Sequence, residues 1–153
     1  MGFEPRSVGP AAATRRRSAC RVVARLLLDS TVLIDALRGR PAADRVQGLR
    51  RMGVQPWVCA ISVEEIWRGL LPGEEAQASR LVRGLRLAPI GAEEGRRAGT
   101  WRREFASQGT ALHQADCLIA AAAVGIGAPL ATANVEDFPM EELQVDRWPS
   151  DVD

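Results

Sequence analysis

Residues 26–39 read LLLDSTVLIDALRG, and the rest of the chain can be organised around them. Leu26, Leu27 and Leu28 form an apolar run without alternation, the pattern of a strand covered on both faces. After Asp29 the pattern turns helical, with Val32, Leu33, Ala36 and Leu37 recurring along one helix face. Ser30 or Thr31 is placed to cap that helix, Asp29 is itself a capping residue type, and Gly39 stops it. A carboxylate at the end of a buried strand is costly to ionise unless something pairs with it. Asp29 therefore poses a question about its partner.

Bulk properties narrow the answer. The 153 residues suffice for one domain, and a hydrophobic content of 46% suffices for a core. A net charge of +1 demands neither nucleic acid nor a membrane surface. All 20 basic residues are Arg, the better residue for bidentate phosphate contact. Cys20, Cys59 and Cys117 are odd in number, far apart and without a CxxC pair. That speaks against a disulfide framework or a zinc site and fits a reducing cytoplasm. No apolar run approaches the ~18 residues of a membrane span. Residues 1–24 carry Arg15-Arg16-Arg17 with no hydrophobic segment after it, so they do not read as a secretory signal. They read as a disordered extension to a domain covering 25–150.

Further elements alternate along the chain. Strands are expected at 25–29, 56–60, 87–90, 129–132 and 143–146. Helices are expected at 41–52, opened by Pro41, then from Ser62 to about Leu70, at 74–86, at 92–107 and through the alanine-rich 112–127. Ser62 and Glu65 have the spacing of a capping box. Strands alternating with helices predict an α/β fold, a parallel sheet with helices on both faces. Ligands in such sheets sit beyond the carboxyl ends of the strands. Asp29, Glu65, Asp116, Asn134 and Asp137 all fall where topology places that crevice.

Carboxylates brought together repel one another, and some take up protons at neutral pH. A divalent cation relieves the conflict. Oxygen donors without His or Cys at useful spacing point to Mg2+ or Mn2+ rather than zinc. Such an ion activates water and stabilises charge on a phosphoryl group. Each acid also has a plainer role: Asp29 a helix cap, Glu65 the partner of Ser62, Asp137 a turn residue. Asp116 among apolar residues is harder to explain that way, because it costs both helix propensity and burial. Asp35 has the helical spacing of a surface or interface position and stays outside the set.

These stretches together resemble the PIN-domain ribonucleases, and most of all the VapC-type toxins of bacterial toxin–antitoxin pairs. The resemblance runs over about 26–148. LLLDSTVLIDALRG is similar to the family's opening strand, Asp and helix. ISVEEIWRG resembles its second motif, in which the Glu four residues before Gly69 is the active one, favouring Glu65 over Glu64. ADCLIAAAA resembles the third, giving Asp116, and LATANVEDF the fourth. Many relatives carry Asp where this chain has Asn134, so the fourth acidic role falls to Asn134 or Asp137.

The resemblance implies a three-layer PIN-like domain, its parallel sheet of four to five short strands flanked by helices. It implies hydrolysis of RNA phosphodiester bonds with Mg2+ or Mn2+, the metal held by Asp29, Glu65 and Asp116 and the catalytic set completed by Asp137 and Asn134. It further implies a homodimer, a cognate VapB-type antitoxin filling the active groove, and a cytoplasmic protein with no membrane partner. Ser30 and Thr31 either contact metal-bound water or phosphate or cap the helix. Arg38, Arg68, Arg102 and Arg103 are either phosphate contacts or plain helix-surface charges.

Rival functions are separable. A phosphoacceptor receiver domain requires a Lys, and the chain has none. A haloacid-dehalogenase-type phosphatase requires an Asp where Thr31 stands. The remaining alternative is a catalytically inactive PIN-like module that binds RNA or a partner without cutting.

Overall fold

The structure, a computed structural model, describes residues 23–39 and 41–149. The expected extension at 1–24 lies outside the described residues except for its last two. Its strands are β1 (Ala24–Leu28), β2 (Val54–Cys59), β3 (Arg86–Ala88), β4 (Leu130–Thr132) and β5 (Val145–Arg147). They pair in parallel as one sheet in the order β3-β2-β1-β4-β5. The helices are α1 (Ser30–Leu37), α2 (Pro41–Leu49), α3 (Ala60–Arg68), α4 (Glu75–Arg83), α5 (Ala92–Ser107) and α6 (Gln114–Gly125).

Alternation along the strands feeds two cores. Leu27, Cys59 and Ala88 turn toward α5 and α6, where they meet Ala98, Trp101 and Ile119. Leu26, Leu28, Val58 and Ala131 turn the other way, toward Leu33 and Leu37 of α1, Val46 of α2, Ile66 of α3 and Ala78 of α4. Burial on both faces explains why LLL shows no polar alternation. Ala120, Ala121, Ala122 and Ala123 are all fully buried, so α6 is enclosed on every side, and only small side chains permit that approach. Pro56 sits where β2 has β1 beside it but β3 has not yet joined, a position that tolerates a missing N–H.

The α/β alternation and the five strands follow the sequence reading, with boundaries moved by one or two residues. Gly39 does end α1, at φ 70°, a left-handed conformation that suits glycine. The stretch expected as a helix over 41–52 is α-helical to Leu49 and finishes as a 3-10 turn at Arg50–Met52.

Three local expectations are corrected. The cap of α1 is Asp29, not Ser30 or Thr31: its Oδ1 accepts the Ser30 N–H at 2.8 Å. The capping box at Ser62 does not form, because α3 starts at Ala60 behind Cys59 and carries Ser62 fully buried within its first turn. There the Ser62 hydroxyl lies 3.7 Å from the Cys59 thiol. Of the surface or interface position expected for Asp35, the surface half is overturned, since the residue is buried at 7% exposure.

Candidate active site

The chain leaves β1 toward β2 and β3 on one side and comes back as β4 and β5 on the other. The direction of winding therefore reverses between β1 and β4, and a crevice opens beyond their carboxyl ends. Asp29 is the first residue past β1. Asn134 and Asp137 follow β4, Asp137 closing a 3-10 turn at Val135–Asp137. Glu65 sits in the second turn of α3, after β2, and Asp116 in the first turn of α6. Each acid thus reaches the crevice from a different segment.

Asp29 is the most enclosed, at 4% exposure. Its Oδ2 accepts the Thr132 hydroxyl at 2.7 Å and the Thr31 hydroxyl at 3.1 Å, while Oδ1 accepts Ser30 N–H. The same hydroxyls hold the loop after β4: Thr31 Oγ1 accepts Ala133 N–H at 3.2 Å and Thr132 Oγ1 accepts Asn134 N–H at 3.1 Å. Burial pushes the Asp29 carboxyl above its ordinary 3.8, against the hydrogen bonds from Thr132, Ser30 and Thr31. A carboxylate offers about four lone-pair sites. Oδ2 has two occupied by hydroxyls, so Oδ1 carries the lighter load.

Asp116 reports on how the acids are gathered. Burial first, and then the negative charges of Asp137, Asp29 and Glu65, push it from 3.8 to about 6, with His113 opposing. Asp116 and Glu65 are half-buried, whereas Asp137 and Asn134 are exposed. Among the described residues, no three His, Cys, Asp or Glu side chains form a ready metal-ligand set. The donors are nonetheless of the right kind for a hard cation: they are carboxylates, they repel one another, and Asp29 Oδ1, though it accepts the Ser30 N–H, is less occupied than Oδ2. On the other choices, Glu64 is exposed and ion-paired to Arg68 at 3.4 Å, whereas Glu65 turns inward.

The arginines singled out in the sequence are mostly engaged elsewhere. Arg38 pairs with Glu74 at 3.6 Å, Arg68 with Glu64, and Arg102 donates to the Leu112 carbonyl at 3.2 Å. Arg103 is exposed on α5. Two residues escaped the sequence reading. Thr132 was passed over because a Thr ending a strand is unremarkable until the register puts it beside Asp29. His113, the sole His, stands at the N-cap of α6 beside Asp116, and nothing in its spacing marked it.

A three-layer α/β domain that collects carboxylates at its winding reversal defines a recognisable class. Residues 26–139 match the PIN domain family, and the chain belongs to it. It is 36% identical over 118 residues to a protein named Ribonuclease VapC10 from Mycobacterium tuberculosis, covering 76% of this chain and 88% of that one. It is 31% identical over 134 residues to Ribonuclease VapC19 of the same species, covering 74% and 92%. The solved VapBC2 from Rickettsia felis, bound to a DNA fragment from their promoter, superposes with a TM-score of 0.70 over 81% of this chain and 98% of that chain. At 21% identity that likeness is one of fold. No helix among the described residues is long and apolar enough to cross a membrane.

Proposed function

We propose that this chain is an endoribonuclease dependent on Mg2+ or Mn2+, the toxin of a toxin–antitoxin pair, acting in the cytoplasm. The observation that carries the reading is the electrostatic convergence on Asp116, which feels Asp137, Asp29 and Glu65 from three other segments. Burial first, and then the surrounding like charge, hold this acid near 6, and a divalent cation would relieve both. The names of the curated relatives support RNA as the substrate.

Asp29, Glu65 and Asp116 are the residues that would hold the metal. When bound, a divalent cation supplies Lewis-acid activation of water and offsets charge on the phosphate. Asp29 contributes rigidity: capping α1 and accepting two threonine hydroxyls, its carboxylate has little freedom to turn. Asp116, raised to about 6, is mostly ionised at neutral pH and gives up its proton less readily than an ordinary carboxyl, so positive charge in the crevice would favour its ionised form. Asn134, exposed at the mouth, can orient water or a phosphate oxygen through its amide, and Asp137 adds negative charge from the rim. The crevice ends of β1 and β4 are tied together by the threonines, so these groups move as one unit.

A cognate VapB-type antitoxin and a homodimeric assembly belong to this proposal. An antitoxin arginine entering the crevice would replace the cation's charge and hydrogen-bond the carboxylates. The nuclease domain in this reading begins near residue 25, after an N-terminal extension. The competing module that binds RNA without cutting draws on Asn134, neutral where many relatives are acidic, and on the unclosed ligand set.

One experiment separates the two. The purified chain is incubated with folded cellular RNA, with Mg2+ or Mn2+ and with EDTA, and new RNA ends are sequenced. Discrete metal-dependent ends that vanish in Asp29→Asn support cleavage. Binding without new ends in either metal defeats it.

A further inference from the structure

A second group of residues lies away from the crevice. Arg25 of β1, Trp57 of β2 and Arg86 of β3 stand on three adjacent strands. Register sets Trp57 beside Leu27 on one side and opposite Arg86 on the other, and alternation puts Arg25 on the same face as Leu27. The guanidinium of Arg25 lies 5.4 Å, and that of Arg86 5.9 Å, from the Trp57 ring centroid. Both arginines are exposed.

Two cations share one indole, and no carboxylate neutralises either of them among the described residues. Arg38, Arg68, Arg96 and Arg147 each face a glutamate: Glu74, Glu64, Glu93 and Glu136. Arg25 donates one N–H to the Ile126 carbonyl at 2.9 Å. The Arg86 side chain makes no hydrogen bond or ion pair among the described residues, only its contact with the Trp57 ring. The nearby acid, Glu94, borders Gly125 but accepts the Gly91 N–H at 2.8 Å and faces Arg97. The Trp57 Nε1–H is buried with no acceptor among the described residues, so stacking rather than a polar bond holds the ring against the arginines.

Stacking fixes a guanidinium by its face and leaves its edge free, and the edge carries the donors that fit phosphate in pairs. It also removes side-chain freedom in advance, which lowers the cost of binding. We propose that Arg25, Trp57 and Arg86 form a second site for backbone phosphates of RNA, separate from the acidic crevice. The proposal rests on the reading above for RNA as the ligand, not for its cleavage. Arg25 lies on β1 four residues before Asp29, which follows the strand directly, about 13 Å away at ~3.3 Å per residue. A folded RNA can span both sites and a dinucleotide cannot, so the patch favours structured substrates.

The test uses the full chain in EDTA, which prevents cleavage, with a fluorescent RNA hairpin and anisotropy over a salt series. Arg25→Gln/Arg86→Gln should weaken binding about tenfold and flatten the slope of log K against log salt by roughly 1.5–2, as for two lost phosphate contacts. Arg86→Gln alone should flatten it by roughly half that, and it removes no hydrogen bond, so it carries the test if the double variant melts without cooperativity. Arg96→Gln, equal in charge change but paired to Glu93, should leave the slope as it was. An Arg86→Gln slope no different from that of Arg96→Gln overturns the site. So does polyglutamate bound as tightly as the hairpin at equal salt, which would make the patch a docking point for an acidic protein. RNA bound without ever being cut sinks the nuclease reading but leaves this one standing.

Discussion

Replacing Asp116 by Asn should make the metal-free protein more stable at neutral pH. Asp116 binds its proton more readily in the folded chain, at about 6, than in the unfolded chain, at its ordinary 3.8. Folding therefore takes up a proton between those values. The stability so gained is fully present below about 3.8 and is lost as the pH rises through about 6. Above that, the ionised Asp116 is a net cost to the folded state, set by burial and by Asp137, Asp29 and Glu65. The gap from 3.8 to about 6 is worth roughly 3 kcal/mol at ~1.36 kcal/mol per pH unit. Asp116 is only half-buried, and solvent screening reduces this to about 1 kcal/mol.

In EDTA at pH 7.5, Asp116→Asn should thus melt roughly 3–6 °C above the parent chain by scanning calorimetry. At pH 4.5 the difference should be smaller, because the folded parent is by then largely protonated at this position, and it should vanish only below about 3.8, where the unfolded chain is protonated too. Mg2+ or Mn2+ should raise the melting temperature of the parent and leave the variant nearly unmoved. A variant that melts below the parent at pH 7.5, or whose advantage persists unchanged to pH 4.5, would refute the claim that the acids repel one another in one crevice.

Other outcomes follow from the same geometry. Asp29→Asn and Asp116→Asn should each abolish RNA cleavage and growth toxicity while far-UV circular dichroism stays native; a folded, fully toxic variant would remove that residue from the site. Thr132→Val keeps shape but strips Asp29 of its 2.7 Å hydrogen bond, costing about 1–3 kcal/mol on denaturant unfolding and about 10–100-fold in activity or metal affinity. Ala121→Leu drives a larger side chain into the fully buried face of α6 and should cost about 1–3 kcal/mol or more, read as a lower urea midpoint.

Much of the architecture could be read from one dimension because its causes are local. LLL without alternation means two covered faces, the 92–107 periodicity marks α5 to the residue, and the alanine run marks a helix hemmed in on all sides. Local rules also misled where neighbours overrode them. The S-V-E-E spacing describes a capping box, yet β2 feeds α3 two residues earlier and leaves Ser62 inside the helix. Asp35 carries a polar side chain at a surface-like spacing, yet α1 lies between the sheet and other helices, and the position is buried.

The acids themselves were legible as residue types at strand ends, since a carboxylate after an apolar strand is conspicuous however the chain folds. Their relation to one another was not. Thr132 reaches Asp29 across 103 positions of sequence because β1 and β4 pair at the winding reversal. Which acids press on Asp116 follows from four segments meeting at the same end of the sheet. Hydropathy and capping act over a few residues and are written in the chain, whereas hydrogen bonding and charge repulsion depend on distance in space, which only the folded arrangement sets.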